Sequence, residues 1–275
     1  MTGGPFPVPA QGRAGASARQ VLLPLLMGAL FILGWYGIKY ALHLPSFILP
    51  TPREIAAAAW RERATLWHGA LVTASGAILG FLLAAGAALA LELVISLSPL
   101  ILLSVLPYIL MLQMMPIVVK APVIILWFGP GLPSTVAIAF LISFFPIVVS
   151  TTQGLISTDR HMVDLFRIGA QHRWQEILWL RLPFALPYFL TGLRIAGSLA
   201  PMAAIAGEFF SGNSAGGTGG LGFLVVEYNS QMQISELFAA GFTACALGLI
   251  FYAIIAGLNW WLLRNWHDSF SSQQR

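Results

Sequence analysis

Polar and apolar positions along this chain do not alternate. They fall into long apolar blocks separated by short polar stretches. The blocks cover about residues 21–42, 66–97, 99–128, 132–155, 184–210 and 238–263. A helix rises 1.5 Å per residue, so about 20 apolar residues cross the ~30 Å hydrocarbon core of a bilayer. The pattern predicts an all-α membrane protein with about six transmembrane helices. The first block is too long for a signal-peptide core and lacks a small-x-small cleavage site, so it is read as a membrane helix.

Composition supports this reading. Hydrophobic residues make up 58% of the 275 residues and charged residues 9%, against about 25% charged in soluble domains. So few charges could not clothe a soluble surface, which excludes a soluble enzyme, a nucleic-acid-binding domain and a disordered chain. The net charge of +4 reflects only 14 basic against 10 acidic residues, and the basic residues are better read for membrane orientation. The one cysteine, Cys245, lies in an apolar stretch and excludes a disulfide framework.

The segments between the blocks set the topology. Residues 1–20 read as a disordered basic tail, and residues 265–275 as a second polar tail. After the first block come Pro45, Pro50 and Pro52, then a short amphipathic helix capped near Thr51. The third block contains Pro107, Pro116 and Pro122 and is expected to be kinked inside the bundle, ending in a tight turn at Gly129-Pro130-Gly131. Gly76-Ala-Ile-Leu-Gly80 in the second block is a GxxxG match for close helix approach. Six spans put both termini on one side. With termini inside, eight basic residues (Arg13, Arg19, Arg160, Arg167, Arg173, Arg181, Arg264, Arg275) lie inside and three (Arg53, Arg61, Arg63) outside, which favours cytoplasmic termini.

Candidate chemistry is sparse. Gly217-Thr-Gly219-Gly-Leu-Gly222 matches GxGxxG, but it sits between two membrane spans without the βαβ context of a dinucleotide site, so it is read as a turn. The only lysines are Lys39 and Lys120, and neither follows a phosphate-binding loop, so the chain has no P-loop of its own. No His, Cys, Asp or Glu cluster has metal-ligand spacing, and HExxH is absent. The candidate pathway residues are the charges within spans: Lys120 foremost, with Arg194 and Glu208. Lys120 either attracts an anionic substrate, pairs with an acid such as Glu92, or bonds carbonyls freed by the flanking prolines. Glu92 and Lys39 lie near span ends, where snorkelling or capping is the simpler reading. Arg194 and Glu208 are about 20 Å apart along one helix, too far to pair directly.

The polar stretch 157–182 is the most informative. Asp164-Leu-Phe-Arg-Ile-Gly169-Ala170-Gln-His-Arg173-Trp174-Gln175, followed by Arg181-Leu182-Pro183, resembles the coupling-helix motif of binding-protein-dependent ABC importer permeases. Asp164 stands where the motif has Glu and Leu182-Pro183 stands for its Leu-Pro. The motif's Gly position is Ala170, with Gly169 one residue early. Three further stretches resemble the nitrate/sulfonate/taurine-type members: Leu44-Pro45 through Pro52-Arg-Glu54, Met115-Pro116 through Phe128-Gly129, and Gly207-Glu208-Phe209 with Gly220-Leu221-Gly222-Phe223. Lys120 replaces a position that is usually apolar there.

The resemblance implies a permease domain over 21–264 with a cytoplasmic coupling helix at about 159–176, in a bacterial inner membrane. It implies a homodimer with the pathway between two copies, two separate cytoplasmic ATPase subunits that bind the ATP, and an extracytoplasmic solute-binding protein. The permease itself would be no enzyme and hold no cofactor. Asp164, Arg167, Gly169, Ala170 and Arg173 are the residues it assigns to ATPase coupling. The cargo class it implies is a small anion such as a sulfonate, taurine or nitrate, or else a vitamin or pyrimidine precursor. A stand-alone secondary transporter is the other class to weigh, but it should show an internal repeat and mid-span acids, and neither is seen.

Overall fold

The computed structural model describes residues 13–157, 160–168, 173–211 and 219–263. These residues form helices throughout. Five helices are long and apolar enough to cross a bilayer, or six spans if one bent pair counts as a single crossing. The first is α1 (Arg13–Ala41), which begins inside the stretch expected to be a tail. The amphipathic α2 (Pro52–Arg61) follows, then α3 (Arg63–Ser96), α4 (Pro99–Met114), α5 (Ile117–Phe128) and α6 (Leu132–Ile156). Next come two short helices, α7 (Arg160–Ile168) and α8 (Arg173–Glu176), a π-helical turn over Ile177–Arg181, and α9 (Leu182–Ser211). The last two are α10 (Leu221–Ser230) and α11 (Ile234–Leu263).

Small residues decide the packing. Ala77, Ala84 and Ala88 of α3, Ala139 of α6, and Ala196, Ala200, Ala203 and Ala204 of α9 form the central seam, with Phe81, Phe145, Phe189 and Phe251 filling around it. Lipid is as apolar as leucine, so helices here associate by close van der Waals approach rather than by hydrophobic burial. The glycine pair of α3 serves this. A Cβ on Gly80 would fall 2.5 Å from Ala139 Cβ and 2.8 Å from the backbone of Phe140 and Val136, and one on Gly76 would fall 2.8 Å from Thr135 Cγ2. The GxxxG match is therefore the α3–α6 contact. A second cluster ties Ile55 and Ala58 of α2 to Leu66 and Ala70 of α3, Leu221, Leu224 and Tyr228 of α10, and Ala239 and Ala240 of α11.

Two expectations need correction. The proline-broken third block is only half inside the bundle: α5 buries Lys120, Ala121 and Ile124, whereas α4 lies outside. Leu100, Leu103, Tyr108, Met111 and Met114 of α4 are exposed, and only Ile109 of that helix joins the core. Of the three prolines, one breaks the block: α4 and α5 meet at 100°. Pro116 pushes its predecessor out of helical conformation, and Met115 is extended at φ −66°, ψ 125°. The block then ends as predicted, with Gly129 and Gly131 at φ 77° and 103°, values that glycine alone adopts freely. The other correction concerns the stretch between α9 and α11, where Gly217–Gly222 is read as a turn. It contains α10, whose Leu221 and Leu224 are buried.

Candidate functional site

At one end of the bundle lies the stretch that the sequence assigns to coupling. In α7, Val163 is buried while Met162, Asp164 and Leu165 are exposed, so the helix presents Asp164 outward from an anchored inner face. Arg167 falls on α7 and Arg173 opens α8, with side chains outside what the structure describes. Gly169 and Ala170 lie outside the described residues.

The return into the membrane is a π-helical turn, closed by the Leu182 amide donating to the Ile177 carbonyl. Its physical reason is Pro183. A proline has no N–H for the carbonyl four residues back, here Trp179, and its ring crowds that carbonyl; widening the helix by one residue relieves both. Across this turn the Arg181 guanidinium donates to Glu176 Oε1 through Nε at 2.8 Å and Nη2 at 2.7 Å. The pair opens onto a cavity of about 230 Å³ that Ser96, Leu97, Thr152 and Ile177 also line. Behind it, Thr152 donates to Glu92 at 2.7 Å. Glu92 is 1% exposed, so it does not snorkel but joins α3 to α6.

At the opposite end, Glu208 is the hub. Its Oε2 accepts the Thr73 hydroxyl at 2.8 Å and the Gly222 amide at 2.9 Å. Thr73 in turn accepts the Leu221 amide at 2.9 Å. The first amides of α10 are thus satisfied by side chains from α9 and α3, and a carboxylate sits at the positive end of the helix dipole. The glycines of the GxGxxG match follow from this. A Cβ on Gly220 would overlap the Glu208 carboxylate, and one on Gly222 would overlap the Ile205 carbonyl. Gly217 lies outside the described residues, while Gly219, Gly220 and Gly222 pack against protein. Sequence reasoning placed Glu208 in a candidate pathway and missed Thr73. The one signal available was a Thr73-Ala-Ser75 pair of hydroxyls in an apolar run.

Lys120 is 8% exposed. Its amine donates to the Leu112 carbonyl at 3.3 Å and lies 5.6 Å from the centre of the Phe145 ring. Leu112 is the residue four back from Pro116, so its carbonyl lacks the usual helical amide and accepts the Met115 amide at 3.4 Å beside the Lys120 amine. Glu92 is not a partner; its described contact is Thr152. Arg194 does not meet Glu208 either. Its guanidinium lies over the Tyr252 ring of α11, 5.3 Å from the centroid, and donates to the phenol oxygen.

The α10 end carries one more polar constellation. Thr51 caps α2 reciprocally with Glu54, and Lys39 donates to Ser46 at 3.0 Å and to Glu54 at 3.4 Å. The Thr51 amide, then the Ser46 and Thr51 hydroxyls and the Lys39 charge, hold the Glu54 carboxyl down to about 2 against the opposing effect of burial. Arg61 of α2 pairs with Glu236 of α11.

The described residues thus form close-packed spans with short helices at both ends. Residues 76–265 match the family described as "Binding-protein-dependent transport system inner membrane component". A "Probable ABC transporter permease protein" of Haemophilus influenzae is 32% identical over 244 residues, covering 89% of this chain and 96% of that protein. The riboflavin transport system permease protein of Chloroflexus aurantiacus is 33% identical over 249 residues, 90% of each chain. The formylaminopyrimidine transport permease protein of Halalkalibacterium halodurans is 37% identical over 155 residues, 56% of this chain and 60% of that one. The chain therefore belongs to the inner-membrane components of binding-protein-dependent transport systems, as a permease subunit of an ABC importer.

Proposed function

We propose that the subunit works as one half of a homodimer, with the cargo passing between two copies. Both termini and α7–α8 face the cytoplasm, and α10 faces outward toward a solute-binding protein. Separate ATPase subunits hold the ATP and dock on α7–α8. The observation that carries this reading is α7 itself, an exposed helix between two spans, rooted on Val163 and followed by the Glu176–Arg181 pair at the π turn. Such an element moves as a unit. Closure of an ATPase dimer displaces it, and the spans behind it exchange between inward-open and outward-open states that ATP binding and hydrolysis favour in turn. Asp164→Lys tests this. It should reduce co-purification of the ATPase and uptake while leaving membrane insertion intact, and unchanged co-purification and uptake would overturn it.

For the cargo, a vitamin or pyrimidine precursor stands ahead of a sulfonate, taurine or nitrate. The names of two relatives, for riboflavin and formylaminopyrimidine, support it. The resemblance also implied small anions, a class supported by relatives named for aliphatic sulfonates and nitrate at 28% and 27% identity, but Lys120, which tilted toward it, turns its amine to the Leu112 carbonyl. Mass spectrometry of the binding protein purified with its natural ligand decides between them. A sulfonate or nitrate ligand would reverse the order.

A further inference from the structure

Arg194 lies seventeen residues from either end of the span Ile177–Ser211, at mid-depth of the membrane. It is exposed, and so are Thr191, Ser198 and Met202 on the same stripe of α9. Its two described contacts are the ring and the hydroxyl of Tyr252. A phenol accepts a hydrogen bond but supplies no counter-charge. The guanidinium stays charged at any physiological pH. Lipid is not an acceptable neighbour, because about 15 Å of hydrocarbon separates mid-span from the headgroups, more than a snorkelling side chain spans. A second copy of the chain has no mid-span carboxylate to offer among the described residues. Glu92 and Glu208 are 1% and 5% exposed within their own protomer, and Glu236, at the start of α11, pairs with Arg61. What remains is water.

We propose that Arg194, held by Tyr252, faces the aqueous pathway and sets its charge selectivity. The proposal rests on the reading that the pathway lies between two copies. The guanidinium repels cations and offers N–H donors to acceptor atoms of a neutral or anionic cargo. The neighbouring hydroxyls fit a wetted face but are less available. Thr191 donates to the Pro187 carbonyl at 2.9 Å and Ser198 to the Ile195 carbonyl at 2.7 Å. Arg194 is thus the described residue of the stripe that keeps several N–H donors, beyond its bond to Tyr252, for a passing solute.

The test needs no knowledge of the cargo. Thr191→Cys and Ser198→Cys are made singly in a Cys245→Ala background and reconstituted with the ATPase and binding protein. Each is labelled with a methanethiosulfonate bearing either a sulfonate or a trimethylammonium group, with rates normalised to a free thiol. The anionic reagent should react roughly tenfold faster, as expected for a charge near the reporter at intermediate dielectric. Arg194→Gln should bring the ratio close to one. A stripe that neither reagent reaches, or a ratio unmoved by Arg194→Gln, would overturn the proposal. Should either cysteine variant fail to fold, Met202→Cys reports from the same stripe. ATPase co-purification with the unsubstituted chain is scored separately. Its loss counts against the importer assembly whatever the labelling shows.

Discussion

The hydroxyl of Thr73 and the carboxylate of Glu208 meet at 2.8 Å although they lie 135 positions apart, and between them they hold the Leu221 and Gly222 amides. One buried pair thus fixes the start of α10 to both α3 and α9. Removing either member leaves buried groups without partners, at about 1–3 kcal/mol each. Glu208→Leu and Thr73→Val should each speed hydrogen exchange at the Leu221 and Gly222 amides by about tenfold or more, with little change at the α7 end. The double variant should cost less than the sum of the two single ones. Unaltered exchange in both would remove the pair from that role.

The α3–α6 contact gives a sharper steric prediction. A methyl group on Gly80 has no room, whereas one on Gly86 meets nothing within 4 Å. Gly80→Ala should destabilise the detergent-solubilised protein by about 1–3 kcal/mol, seen as a lower midpoint of thermal unfolding. Gly86→Ala should be neutral or slightly stabilising, since alanine is the better helix former.

These two cases mark what was legible in the sequence. Long apolar blocks announce spans because the bilayer demands twenty apolar residues in a row, and the Gly76–Gly80 spacing announces a close contact. The partner, α6, was not legible, because hydropathy carries no information on which helix faces which. Thr51 and Pro52 marked the start of α2 through capping chemistry that is local. α10 was hidden because its leading glycines signal a turn, and its helix is fixed by Glu208, which sits on another element. Lys120 and Arg194 drew attention alike as charges in apolar runs. Which of them is sealed and which exposed depends on the 100° bend at Pro116 and on Tyr252, both tertiary facts.

The Glu54 cluster predicts a pH response at the α1–α2 junction. Its carboxyl is held to about 2, below the ordinary 4.5, first by the Thr51 amide and also by Ser46, the Thr51 hydroxyl and Lys39. A lowered folded-state value means the ionised form favours the folded arrangement. That contribution is present above about 4.5 and is lost as pH falls toward about 2. Carbon NMR of the Glu54 carboxyl should show a midpoint near 2. Glu54→Gln should remove the acid sensitivity of α2 in this window, and a midpoint in the ordinary glutamate range would contradict the assignment.

Lys120 offers the cleanest separation of a structural from a transport role. Its amine donates to the Leu112 carbonyl, which lacks an amide from Pro116 and is shared with the Met115 amide, and it lies beside Phe145 rather than in open space. Methionine keeps the unbranched stem and its contact with the ring but cannot donate a hydrogen bond. Lys120→Met should therefore loosen the α4–α5 bend modestly, by about 1 kcal/mol, while uptake by the assembled importer stays close to that of the natural chain. Arg194→Gln, measured beside it, should alter uptake at an unchanged unfolding midpoint. If Lys120→Met abolished uptake without lowering the midpoint, the amine would have to reach the cargo in a second conformation of the bend, and the roles given to the two cations would exchange.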